Sequence, residues 1–413
     1  MDWDEPIDSG PVPASGSQFD VIVVGGGPGG SATATYMAMK GAKVLLLEKA
    51  SWPRDKTCGD AVGGKSLKHV EELGVKPILE KTPHFRVDAI VFGSPNNKEV
   101  RIALPEDEVE NREAGYSLPR KQFDTLLFRN ATEKVLGAGG SVIQKFLVKE
   151  VHVENESVTG VTGTHDGEIL NFNAPITIGA GGYTCPVARA ITRHHDEPMV
   201  DKWHYCDAYR EYWTGVEGCE DWKGAIEIHF IDGVVPGYFW IFPVGNGVVN
   251  VGIGMVIGER EKENTKLKKL QKWVIEESPK FKKRFANAEM VPRTGKAWQL
   301  PFGSPRKGAP SFQPRRSAMG GAICVGDAAS LVDPFTGEGI GNALLSAKLA
   351  STVFDLKIHQ DGFTKESADE YQNKLWEELS AELTNSYKLQ RLVKKKWLMN
   401  FFIGKAVKKE ELQ

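Results

Sequence analysis

Four consecutive apolar residues, Val21 to Val24, run into a glycine-rich turn, a segment of small residues through Met39, and a second apolar run, Val44 to Leu47, that closes on Glu48. Short apolar runs bounded by glycine predict buried strands, and the small-residue segment between them predicts a helix. Further along, a helix is expected over about 64–73. Residues 85–104 alternate apolar and polar around Ser94-Pro95-Asn96-Asn97, which predicts a hairpin. Pro119 and Arg120 open a helix in which Phe123, Leu126 and Leu127 recur at helical spacing. Short strands over 141–148, 149–154, 157–164 and 168–172 read as an antiparallel meander, followed by an apolar strand over 176–180. Aromatic-rich strands are expected over 225–231, 237–242 and 248–254, then a charged helix over 259–277 and a Gly/Pro loop over 302–317 carrying a basic patch of Arg306, Lys307, Arg315 and Arg316. The chain returns to an apolar strand at 322–325 and a small-residue helix at 339–356, and ends in helices over 365–383 and 386–407.

This order predicts an α/β fold: a Rossmann-type domain with an inserted antiparallel β-sheet domain and C-terminal helices. The dinucleotide-binding domain is expected to be discontinuous, over 19–84, 112–190 and 300–357. The substrate sheet is expected over 85–111 and 191–299, and a helical region over 358–413. Residues 1–18, acidic and rich in Pro, Ser and Gly, read as a flexible tail, the reverse of a signal peptide.

Composition narrows the function classes. Across 413 residues, 52 Lys and Arg against 54 Asp and Glu give a formal charge of -2, which offers no electrostatic case for nucleic acid. Five scattered cysteines, none in a CxxC pair, argue for a reducing, cytoplasmic setting without a disulfide framework. No apolar run reaches the length of a membrane span. His194, His195 and His204 lack a carboxylate or cysteine at ligand spacing, so no metal is expected.

The glycine turn carries the first chemistry. Gly25 permits the tight turn, Gly27 lets the backbone approach a pyrophosphate, and Gly30 with Ala34 lets the helix pack closely, with Pro28 and Gly29 between them. The helix N-terminus offers free N–H groups to phosphates. Glu48, 18 residues past Gly30, is placed for an adenosine ribose, with Lys49 beside it. A second constellation lies some 300 residues on: Gly326-Asp327 at a strand end, then Pro334 and Gly337-Glu338-Gly339 leading into a helix at Ile340. A carboxylate suits a polyol hydroxyl, and a glycine-rich helix start suits a flat ring that gains negative charge on reduction. Ribityl chain and isoalloxazine make both demands, so the expected cofactor is FAD.

GGGPGG with Glu48, Pro119-Arg120-x-x-Phe123-Asp124, and GDAAxxxxPxxGxG resemble the FAD motifs of flavoproteins typified by aromatic hydroxylases. Within that superfamily, Tyr238-x-Trp240-x-Phe242-Pro243 followed by Asn250-Val251-Gly252-x-Gly254 resembles the YxWxFP…GxG signature of geranylgeranyl reductases, and Lys56-Thr57-Cys58-Gly59-Asp60 resembles that family's cysteine-glycine loop beside the flavin. The resemblance implies an FAD enzyme that saturates isoprenoid double bonds on a lipid, prenyl diphosphate or menaquinone. It assigns Cys58 to catalysis, Cys58 and Gly59 to the flavin side, and Tyr238, Trp240, Phe242, Pro243 and Gly252 to the substrate. Arg120 reads either as an FAD phosphate contact or as a solvated cation. Two positions depart from the pattern. Gly181 stands where the hydroxylases carry an aspartate that supports the pyridine nucleotide, so the electron donor is NAD(P)H or a ferredoxin-type protein. Val244 stands where a lysine often follows FP.

Three further readings stay open. Tyr238, Trp240 and Phe242 share one strand face and line a prenyl cavity or form ordinary core. Cys58 supplies a proton or holds the olefin, or it is a small buried hydrophobe. The segment 386–409, basic with interleaved aromatics, lies on the inner face of a membrane as a peripheral contact or packs on the body. The competing functions are a flavin monooxygenase or halogenase acting through a flavin hydroperoxide, and a flavin-containing membrane-surface binding protein.

Overall fold

The computed structural model describes residues 2–111, 114–306 and 315–410. The strand Val21–Val24, helix Pro28–Met39 and strand Val44–Leu47 form as the apolar pattern dictates, with Val21 opposite Val44 and Val24 opposite Leu47 in parallel register. These strands are buried on both faces, which is why they read as continuous apolar runs. They sit in a six-stranded sheet ordered Ala318–Met319, Ala322–Cys324, Ile176–Gly179, Val21–Val24, Val44–Leu47, Ser141–Ile143. All its pairs are parallel except the first. Val24 lies beside Gly179, and Gly179 beside Cys324. Three distant segments therefore deliver the Gly25 turn, the 180–185 loop and Gly326-Asp327 to one edge, where open α/β sheets hold ligands.

The meander forms from Leu147–Glu154, Ser157–His165 and Glu168–Asn173. The strand expected over 141–148 is split: Ser141–Ile143 joins the parallel sheet, and the chain turns at Lys145 with φ of 56° before the meander begins.

A ten-stranded sheet forms the second layer. Its path is Glu289–Met290, Tyr205–Thr214, Val248–Val256, Gly237–Gly245, Lys223–His229, Phe85–Gly93, Gly115–Ser117, Ala61–Gly63, with Lys296–Pro301 on Tyr205–Thr214 and Glu99–Ala103 on Phe85–Gly93. The expected antiparallel order holds except between Lys223–His229 and Phe85–Gly93, which run parallel because the chain joins them by a long excursion rather than a hairpin. Pairing also crosses the expected boundaries near 84, 112 and 300, since Ala61–Gly63, Gly115–Ser117 and Lys296–Pro301 belong to this sheet. Side chains alternate between two environments. Phe239, Ile241, Val251 and Ile253 pack in one cluster with Val274, Ile275 and Phe281, while Trp240, Phe242, Ile226 and Ile228 face the other way.

Two helical expectations and one loop reading are corrected. The helix expected over 259–277 is broken into Ile257–Lys262 and Leu267–Glu277, because Asn264 takes a left-handed φ of 46°. The break expected near 384 is absent: Thr384 bonds its hydroxyl to the Ser380 carbonyl within one continuous helix, Lys365–Val393, and the last helix is Lys396–Glu410. The basic patch expected over 302–317 is not a surface patch. Arg315 is buried and donates to the carbonyls of Met199 and Ala328, and Lys307 lies outside the described residues.

Candidate active site

One cavity of about 1300 Å³ runs between the two sheets, larger than the roughly 300–1,000 Å³ of an ordinary small-molecule pocket. Gly25, Gly27, Pro28, Gly29, Glu48 and Lys49 line one end. Gly30 lies inside the turn, where an added Cβ would stand 1.7 Å from the Gly25 carbonyl oxygen. Gly27 and Gly29 thus bring bare backbone to the cavity wall, which suits the close approach of a pyrophosphate. Glu48 is held at its strand end by accepting from the amides of Gly26 (2.7 Å) and Ala50 (2.8 Å), and is buried at the cavity wall.

Gly326, Asp327, Pro334, Gly337, Gly339 and Ile340 line the same space. Asp327 accepts from Lys56 Nζ at 3.2 Å, so the cysteine loop and the second motif touch across the cavity. Gly339 precedes the helix Ile340–Val353, whose amide at Gly341 donates to Glu338; burial pushes the Glu338 carboxyl above its ordinary value. Motifs three hundred residues apart therefore converge, and the group they fit is a dinucleotide with a polyol and a ring.

Arg120 is no solvated cation. It is buried at the cavity wall, its Nε and Nη2 donate to Asp124 at 2.6 and 2.8 Å, and the Cys58 thiol lies beside it. Arg54, stacked 4.3 Å above the Trp52 ring, donates to the same Asp124 carboxylate.

Tyr238, Trp240 and Phe242 line the cavity's apolar stretch with Ile226 and Ile228 from the next strand, Phe230 just past its end, and Ile90 and Phe92 beyond it. The stripe is thus core and wall at once. Two expected substrate contacts are corrected. Pro243 falls in register with Phe239 and Ile241 on the other face, and Gly252 is covered by the Trp240 ring, so neither lines the cavity. The Tyr238 hydroxyl donates to the Thr336 carbonyl, tying this wall to the Gly337 turn.

A buried polar layer behind the wall escaped the sequence reading. Asp60, fully buried at φ of 69°, accepts from the Arg120 amide (3.2 Å), the Tyr212 hydroxyl (2.5 Å) and Asn250 Nδ2 (2.7 Å). Burial raises its carboxyl to about 6, against the pull of Arg210, Tyr212, Asn250 and Arg120. The only signal was an asparagine within the otherwise apolar run Val248–Val256.

His195 bonds the Ala318 carbonyl and His204 bonds Ser304. Glu99, Glu227 and His229 lie close enough to ligate an ion, but Arg284 already grips Glu227 at 2.6 and 2.9 Å and Lys280 pairs with Glu99.

Residues 18–350 match the family described as FAD binding domain. The digeranylgeranylglycerophospholipid reductase of Methanosarcina acetivorans is 30% identical over 364 residues, 87% of this chain and 81% of its own. A menaquinone reductase of Mycobacterium tuberculosis is 29% identical over 343 residues, 81% of this chain and 76% of its own. Among solved structures, a geranylgeranyl bacteriochlorophyll reductase-like protein of Thermoplasma acidophilum matches with a TM-score of 0.76 at 24% identity, covering 94% of this chain and 91% of that one. A myxobacterial FAD-dependent chondrochloren halogenase matches at 0.70 and 23% identity, covering 88% and 79%. At these identities the two structures share the fold.

Proposed function

The chain belongs to the geranylgeranyl reductase family of FAD-dependent oxidoreductases, and from that premise we propose that it saturates carbon–carbon double bonds of an isoprenoid chain. The observation that carries this reading is the continuity of one cavity from the Gly25 and Asp327 motifs to an apolar stretch walled by Tyr238, Trp240 and Phe242. When bound, reduced FAD supplies a hydride. The chain's own residues would do the rest. Gly27 to Gly30, Glu48 and Asp327 hold the cofactor; Ile226, Ile228, Trp240 and Phe242 hold the prenyl chain and exclude water; and the Cys58 thiol, beside Arg120, holds a proton for the second olefinic carbon. The electron donor is NAD(P)H or a ferredoxin-type protein. The substrate's polar head group would remain at a lipid surface, met by the last helix, which carries exposed Trp397, Phe401 and Phe402. No helix among the described residues is long and apolar enough to cross a membrane.

The test is anaerobic. The purified protein is reduced with dithionite and given prenyl diphosphates, menaquinones or geranylgeranyl lipids. Flavin reoxidation with a product two mass units heavier per bond supports the reading. Reoxidation by oxygen alone sinks it and favours a monooxygenase.

A further inference from the structure

Asn250 sits on the cavity side of its strand, in register with Phe242 on one neighbour and Tyr212 on the other, and is fully buried. Its amide makes three hydrogen bonds. Nδ2 donates to the Cys58 carbonyl at 2.7 Å and to Asp60 Oδ2 at 2.7 Å, and Oδ1 accepts from Trp240 Nε1 at 2.8 Å. One side chain therefore joins the cysteine loop, the buried carboxylate behind it and the central aromatic of the wall. Only an amide supplies two donors and an acceptor within this reach; an apolar residue would leave the Cys58 carbonyl and the Trp240 indole N–H without these partners.

We propose that Asn250 is the positioning residue of this site: anchored on Asp60 and Trp240, it fixes the Cys58-Gly59 turn so that the thiol stands against Arg120 at the cavity wall. Asp60 completes the anchor from below, since its other oxygen accepts from the Arg120 amide and so ties the start of the helix Arg120–Gly137 to the same turn. The placement of the thiol stands apart from catalysis, whereas any effect on turnover rests on the reading of Cys58 given above.

The experiment separates the two. Asn250→Asp keeps the shape and the acceptor for Trp240. A proton shared with Asp60 restores one donated bond at most, so the Cys58 carbonyl loses its donor. Cys58 is half-buried and the other four cysteines are buried, so iodoacetamide applied to the intact holoprotein reports on Cys58. We expect alkylation about fivefold faster in Asn250→Asp, and likewise in Asn250→Ser should the first variant fold poorly. A rate equal to or below that of the unmodified chain overturns the proposal. In parallel, Asn250→Asp should lower kcat with KM for the prenyl substrate within about twofold, and should add nothing in a Cys58→Ala background. Normal turnover by Cys58→Ala alone would remove the catalytic role of that thiol, and the alkylation rate would still decide the role of Asn250.

Discussion

The Trp240 indole lies over the Cα of Gly252: the two are register partners across the sheet, and a Cβ at 252 would come within 2.1 Å of the ring. The glycine of the YxWxFP…GxG pattern is therefore the space that its own tryptophan fills. Gly252→Ala must push that ring toward the cavity or strain the strand. Overpacking of this kind costs about 1–3 kcal/mol. We expect a lower Tm and, because Trp240 also donates to Asn250, a raised KM for long prenyl chains. A Tm and KM equal to those of the unmodified protein would show that the ring moves freely.

Gly30 is tested by colour. A methyl there would meet the Gly25 carbonyl oxygen at 1.7 Å, and that oxygen is backbone of the turn itself, so the cradle must open. Gly30→Ala should purify without yellow flavin and should not regain it on incubation with FAD. Stoichiometric flavin in the purified variant would refute this account of the turn.

How far the sequence announced all this depends on the range of the forces involved. The Val21 to Glu48 unit is local, and its apolar runs and glycines record it directly. The convergence of Gly326-Asp327 on the same site was legible because its chemistry complements the first motif, although the two lie three hundred residues apart. The parallel pairing of Lys223–His229 with Phe85–Gly93 left no trace, since an apolar alternation says which face is buried and nothing about which strand lies alongside. Arg120 stayed open between a phosphate contact and a solvated cation because a single arginine in a sequence does not show its partner, and Asp124 one turn on is the carboxylate it pairs with. Asp60 and Asn250 stand in the two motifs, but their pairing was not legible for the same reason: it joins residues 190 apart.

Asp60 gives a pH dependence with a definite sign. Burial holds its carboxyl at about 6 in the folded protein against an ordinary 3.8, so the folded state favours the neutral form. The associated stability is fully present below about pH 4 and is lost as pH rises through about 6, to a total of about 3 kcal/mol. Asp60→Asn stays neutral throughout. Its stability relative to the unmodified protein should therefore improve between pH 4 and 7 and level off above. Urea denaturation at several pH values measures this, and a difference that does not vary with pH contradicts it.

The last helix can be tested without disturbing the fold. Ile403 is buried and Asn400 accepts from the Asn96 amide at 3.2 Å, so one side of Lys396–Glu410 is fastened to the hairpin of Phe85–Gly93 and Glu99–Ala103. The opposite side leaves Trp397, Phe401 and Phe402 exposed at 67%, 49% and 57%. Lys388, Arg391, Lys395 and Lys405 are exposed around them, while Lys394 and Lys396 are already paired with Glu259 and Asp232. Aromatics ringed by cations suit an anionic lipid surface, and Gln390 and Val393 of the preceding helix line the cavity, so such a surface would lie near its apolar end. Replacing Trp397, Phe401 and Phe402 together by serine removes three side chains each worth about 1.5–3 kcal/mol on full burial. We expect co-sedimentation with vesicles containing anionic phospholipid to weaken by at least about tenfold. Turnover on a short soluble prenyl substrate should be unchanged, and turnover on a vesicle-borne lipid should fall in step with binding. Undiminished vesicle binding by the triple variant would mean that this helix is only a packed cover and that the lipid reaches the cavity by another face.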